Sequence, residues 1–189
     1  VDEAKKIMKC IMKSTFKVYG LIEKDSIRNP SPPFTTSTLQ QEAYNKLGFG
    51  LNRTMMAAQH LYEAGHITYM RTDSVKLSDE ALKIIGDYIK KKYGEEYHRY
   101  MNYKSKGKNT QEAHEACRPT DPKVTGVSND AKTKIGSDEV RLYTLIWKRS
   151  VASQMSPAKF KIVTIHIDIS KSKENYFVSQ IENNVFPGF

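Results

Sequence analysis

Three prolines stand within four residues in Asn29-Pro30-Ser31-Pro32-Pro33, and no regular element can run through them. Each proline lacks a backbone donor and biases the residue before it toward extended geometry. A domain boundary is expected there, and the pattern changes again past Pro157. Ahead of the prolines, residues 3–14 space Ala4, Ile7, Met8, Ile11 and Met12 as a helix face, and Phe16–Ile22 reads as a strand. After Pro157, Val163, Ile165, Ile167 and Ile169 alternate with Thr164, His166, Asp168 and Ser170, the period of a half-buried strand. A turn over residues 171–175 then leads to Tyr176–Ile181 as its hairpin partner. Strand signals at both ends of a helical middle give an α+β chain: a helical domain, 31–154, inserted into a small β-rich domain built from 1–30 and 155–189.

The middle is punctuated by caps and glycines. Ser37 and Thr38 each have Gln three residues on, as in a capping box, so a helix is expected to run to Leu47 and stop at Gly48. Asn52 is placed to cap a second helix from Arg53 to Ala64, ahead of Gly65. Two short helices around a glycine turn form a helix-turn-helix candidate. His66–Thr72 is β-prone. Ser78 opens a third helix to Tyr93 with a core stripe of Ala81, Ile84, Ile85, Tyr88 and Ile89. Residues 102–111 read as a basic loop carrying Lys104, Lys106 and Lys108. Ser137 is expected to cap a fourth helix to Gln154 that buries Val140, Tyr143, Ile146 and Trp147.

Composition narrows the classes. Of 189 residues, 39% are hydrophobic and 27% charged, the balance of a globular chain with a core. No stretch approaches the roughly 20 apolar residues of a membrane span, and no signal pattern opens the chain. Two cysteines, Cys10 and Cys117, make neither a disulfide framework nor a four-cysteine zinc site, and a reducing intracellular setting is expected. Thirty basic against twenty-one acidic side chains give +9, which favours a polyanionic partner. That charge is spread as +3 over residues 1–35, +5 over 36–154 and +1 over 155–189, so no basic arm stands out.

Two groups of residues offer chemistry. In Thr68-Tyr69-Met70-Arg71-Thr72-Asp73-Ser74, extended backbone puts Tyr69, Arg71 and Asp73 on one side. A phenol attacking phosphorus needs exposure and nearby cations, and the planar fork of Arg71 suits a phosphate. A surface tyrosine beside an Arg–Asp ion pair explains the same residues. In Gln111–Asp121, one helical turn would bring His114 and Arg118 together, an imidazole for proton transfer and a second phosphate contact. Gly48-Phe49-Gly50 leads to Leu-Asn-Arg, with no Lys-Ser or Lys-Thr, so no ATP loop is expected.

Five ordered blocks nonetheless resemble type IA DNA topoisomerases of the bacterial topoisomerase I kind. They are Pro33–Ala43, Leu47–Gly50, Leu61–Ser74, Ala113–Asp121 and Leu145–Lys159, in the family's order, and the resemblance covers nearly the whole chain. The resemblance implies that Tyr69 is the nucleophile and that Arg71 contacts the scissile phosphate. Asp73 and His114 match positions that support the active site. Thr72, Ser74 and Arg118 are expected on DNA. Cys117 replaces a usual aliphatic residue and is expected to pack, not to react. The implied fold is a winged-helix or helix-turn-helix-like tyrosine domain set into a β-rich arch.

The implied reaction cleaves single-stranded DNA through a 5′-phosphotyrosine, passes another strand and religates without ATP. The family's magnesium is held by a Toprim domain and its DNA by a further helical domain, and neither pattern occurs here. The start at Val1-Asp2-Glu3 and the end within a β-pattern at Pro187-Gly188-Phe189 lead us to expect a central fragment without cofactor, inactive alone and monomeric. A non-catalytic helix-turn-helix DNA-binding module is the alternative. A tyrosine recombinase ranks last, because it expects several dispersed Arg, His and Lys partners and a different sequence around its tyrosine.

Overall fold

The computed structural model describes residues 2–104, 114–130, 132–172 and 176–189. It holds five α-helices and one three-stranded antiparallel sheet, and separates into two compact units. One unit comprises residues 1–28 and 157–188, the other 29–156 with Phe189.

The first unit carries helix α1 (Asp2–Met12) and strands β1 (Phe16–Arg28), β2 (Ala158–Ile169) and β3 (Tyr176–Phe186) in the order β1-β2-β3. β1 pairs with β2 from Phe16↔Ile169 to Arg28↔Ala158, with an irregularity between Val18 and Gly20. β1 runs six residues past its expected end at Ile22. Glu23–Arg28 is polar, but β2 offers it a continuous ladder, and polar side chains on an open face lose no solvation. Arg28 closes this end: its guanidinium lies 4.4 Å over Phe160 and pairs with Glu182 at 2.7 Å. The expected burial alternation is absent. Val163 to Ile167 are all half-buried, and of the strand residues only Ala158 and Ile169 are buried. The apolar stripe of α1 is likewise unburied, with Ile7, Met8 and Met12 exposed. The expected turn at 171–175 lies partly outside the described residues, as does most of the basic loop at 102–111.

The second unit has a continuous core built by α2 (Thr36–Leu47), α3 (Leu51–Glu63), α4 (Asp79–Tyr93) and α5 (Ser137–Ala152). Phe34, Leu39, Phe49, Leu61, Ile85 and Ile146 are among its fully sequestered side chains. Gly48 ends α2 in the left-handed region at φ 70°, where a Cβ would be strained. Ser78 caps α4 by accepting from the Ala81 N–H. Leu82, not Ile84, joins Ala81, Ile85 and Ile89 on the buried stripe of α4.

Three expected caps move. Thr35, not Ser37 or Thr38, caps α2: its N–H donates to Thr38 Oγ1 at 2.9 Å while the Thr38 N–H donates to Thr35 Oγ1 at 3.3 Å. Gly50, not Asn52, precedes α3 and gives no side-chain cap. Gly136, not Ser137, precedes α5, and its N–H donates to Glu139 Oε2 at 2.9 Å. The Glu139 carboxylate, one turn into the helix, makes the return half of a capping box, with no cap hydroxyl at Gly136 to make the other. The β-prone run His66–Thr72 forms no strand. Only Ile67 bridges, to Pro119, through the Thr68 N–H to the Arg118 carbonyl and the Thr120 N–H to the His66 carbonyl; beyond it Thr36 takes the bonds of Met70 and Thr72 that a ladder would need.

Candidate active site

Between α3 and α4, burial alternates strictly from Tyr69 to Ser74. Met70, Thr72 and Ser74 are buried, whereas Tyr69, Arg71 and Asp73 point outward, with Tyr69 48% exposed. The inward set anchors the strip. Met70 sits in the core; the Ser74 N–H donates to Thr72 Oγ1 at 3.1 Å, and the Lys76 N–H donates to Ser74 Oγ at 3.1 Å. Thr72 and Ser74, expected on DNA, thus hold the backbone and face away from solvent.

Two threonines outside the expected set fix this strip. The Thr36 hydroxyl donates to the Met70 carbonyl at 2.8 Å and accepts from the Thr72 N–H at 2.8 Å, while the Thr36 N–H donates to the Thr72 carbonyl at 2.8 Å. Arg71 is therefore bracketed by bonds to one residue. On the other side, Thr68 Oγ1 donates to the Ala116 carbonyl at 2.8 Å and accepts from the Arg118 N–H at 3.0 Å. The Ala116 N–H returns to the Lys76 carbonyl at 2.8 Å. The one available signal was the surplus of hydroxyls at Thr35–Thr38, more than one helix end can use.

The outward set is free. Arg71 and Asp73 make no ion pair or hydrogen bond among the described residues, so the alternative of a surface Arg–Asp ion pair is not formed. The Tyr69 ring meets Tyr62 edge-on, 5.2 Å between centroids, which steadies the phenol without occupying its hydroxyl.

The second expected group is arranged differently. Residues 114–118 form no helical turn; the segment is extended and stitched to Lys76 and Thr68. His114 is exposed and shares no hydrogen bond with Tyr69, Arg71 or Asp73 among the described residues. Arg118 is turned onto the protein. Its Nε and Nη2 donate to Glu115 at 2.7 and 3.0 Å, Nη1 donates to the Pro119 carbonyl at 2.8 Å, and the side chain is only 14% exposed. Burial pushes the Glu115 carboxyl up, but the bonds from Arg118 and the Ser78 N–H outweigh it and leave it below the ordinary range. Cys117 is fully buried, and burial pushes its thiol up to about 12, so it packs as a small apolar side chain. Among the described residues no group of three His, Cys, Asp or Glu side chains could hold a metal ion.

The whole chain, residues 1–189, matches the family model described as DNA topoisomerase. This chain belongs to that family. It is 48% identical over 188 residues to "DNA topoisomerase 1 type prokaryotic" of Acanthamoeba polyphaga mimivirus, covering 96% of this chain and 22% of that protein. DNA topoisomerase 1 of Escherichia coli (strain K12) is 42% identical over 168 residues, covering 88% of this chain and 19% of the relative. Among solved structures, full-length topoisomerase I from Thermotoga maritima superposes with a TM-score of 0.79 at 35% identity, over 97% of this chain and 30% of that one. The chain thus spans about a fifth of the length of the curated relatives it matches.

Proposed function

We propose that this chain is the tyrosine-bearing central segment of a type IA DNA topoisomerase, acting on single-stranded DNA within a longer, monomeric polypeptide. The observation that carries the reading is the outward Tyr69–Arg71–Asp73 triplet on a backbone clamped by Thr36 and Thr68. A rigid strip that exposes a phenol and an unpaired guanidinium is preorganised for a phosphate, because neither side chain must first give up a partner.

In the proposed step, Tyr69 Oη attacks phosphorus and forms a 5′-phosphotyrosine. The bond to the 3′-oxygen breaks, and that oxygen leaves as a 3′-hydroxyl with the proton the phenol gave up. Arg71 stabilises charge growing on the phosphoryl oxygens, while Asp73 and His114 support the site. The phosphodiester energy is conserved, so attack by the 3′-hydroxyl reseals the strand without ATP. Arg118 is better read as the strut that holds Glu115 than as a DNA contact. Magnesium would be held by an acidic Toprim domain outside this chain, where it would help align the DNA phosphates.

The helical unit corresponds in this reading to a winged-helix or helix-turn-helix-like tyrosine domain, and the sheet to part of an arch that opens for strand passage. The 189-residue chain alone is expected not to relax supercoils. Tyr69→Phe in the full-length protein is the test. Covalent protein–DNA adducts should vanish while DNA binding persists; adducts that survive would show that another residue is the nucleophile. Full binding without adducts in the unmodified protein would favour the non-catalytic DNA-binding module.

A further inference from the structure

The groove between α2 and α5 gathers positive charge that the Tyr69 chemistry does not use. Lys46, Arg141, Lys148 and Arg149 line it around a cavity of about 440 Å³, with Glu42 as the acidic side chain among them. It shares no lining residue with the Tyr69 strip.

Its charges are poorly compensated. The Arg149 side chain is only 17% exposed, yet its nearest carboxylate, Glu42, stands 3.5 Å away and already binds Lys46 at 2.7 Å. The Arg149 guanidinium lies 4.5 Å over the Phe34 ring and donates no hydrogen bond among the described residues. Stacking on a ring face leaves the in-plane N–H donors of a guanidinium available, and burial works against its charge. Arg141 spends one donor on the Leu47 carbonyl at 3.2 Å. Lys148 is exposed and without an ion pair among the described residues. An anion with several oxygens would satisfy Arg149 in a forked geometry and offset the excess of cations around it.

We propose that this α2–α5 groove binds a phosphodiester of a DNA strand, as an anchor separate from the strand position cleaved at Tyr69. The proposal rests on the reading of DNA as substrate. A DNA backbone fits better than a lone anion, because Lys46 and Lys148 flank the buried Arg149 at exposed positions where neighbouring phosphates would lie.

The test uses the Tyr69→Phe chain, so that no adduct forms, and a fluorescent single-stranded oligonucleotide followed by anisotropy across a salt series. Lys148→Glu should weaken binding roughly 5- to 10-fold and reduce the log–log salt slope by about 1, and Lys148→Arg should restore both. Lys91→Glu, the same charge change outside the groove, should have a much smaller effect. Lys148 is exposed on α5, so its variants should melt with the parent chain. Failure of the parent chain to bind, equal effects of Lys148→Glu and Lys91→Glu, or competition by inorganic phosphate with no groove-dependent DNA binding would each overturn the proposal. Adducts are read separately, in the full-length protein with Tyr69 intact: adducts there without groove-dependent binding would sink only the anchor, and groove-dependent binding without adducts would sink only the tyrosine assignment.

Discussion

Two arginines sit in adjacent extended strips of the helical unit and meet opposite fates. Arg118 is folded onto Glu115 through two hydrogen bonds, gives a third to a carbonyl and is largely buried. Arg71 projects from a strip whose backbone bonds are made by Thr36, and its own donors are unspent. A guanidinium whose donors are satisfied inside the protein stabilises the fold. One held in place by its neighbours, but itself unsatisfied, is available to a ligand.

The contrast predicts opposite phenotypes. Arg118→Ala should lower stability by about 2 kcal/mol, because it strands a partly buried carboxylate, and this is read by chemical denaturation. Arg71→Ala should change stability by no more than about 0.5 kcal/mol while sharply reducing adduct formation in the full-length protein. If Arg71→Ala were the destabilising change, the division into strut and reacting group would fail.

Thr36 sharpens the comparison. Thr36→Val keeps the volume but removes the hydroxyl that both donates to Met70 and accepts from Thr72. We expect a loss of about 1–2 kcal/mol together with slower adduct formation. Thr36→Ser should recover both. Recovery of stability without recovery of adduct rate would show that Thr36 holds the core and not the reacting strip.

The smallest effect is in pH. Glu115 is held below the ordinary carboxyl range, as are Glu42, Asp138 and Glu139. A depressed folded-state pKa contributes stability above the unfolded value, near pH 4.5, that is lost as pH falls through the folded value. Thermal midpoints should therefore drop below about pH 4.5. In Arg118→Ala, only the hydrogen bonds from Ser78 oppose burial at Glu115, so that part of the acid loss should shrink. Arg71→Ala should leave the profile unchanged.

Much of this was legible in the residue order. Gly48 stops α2 because it can enter the left-handed region, and Ser78 caps α4 because its hydroxyl reaches the Ala81 N–H. The two-residue period correctly put Tyr69, Arg71 and Asp73 on one side, even though no sheet forms there. The same period misled in β2. Alternation predicts a buried face only where a second layer covers it, and in its own unit β2 is half-buried along most of its length. Thr72, Ser74 and Arg118 carry a related lesson: a polar side chain near a reactive one reads as a ligand contact until its own partners are known.

The sequence by itself determined the helices, their glycine stops, the break at the prolines and the shared face of the Tyr69 triplet, because these follow from local backbone energetics. Only the tertiary structure decided which polar groups are spent and which are free. Glu139 capping Gly136, Thr36 clamping Thr72 and Glu115 holding Arg118 are hydrogen-bond choices. Only the Thr36–Thr72 bond joins residues distant in the chain, and all three are made because leaving a buried donor or acceptor without a partner costs more than it would gain.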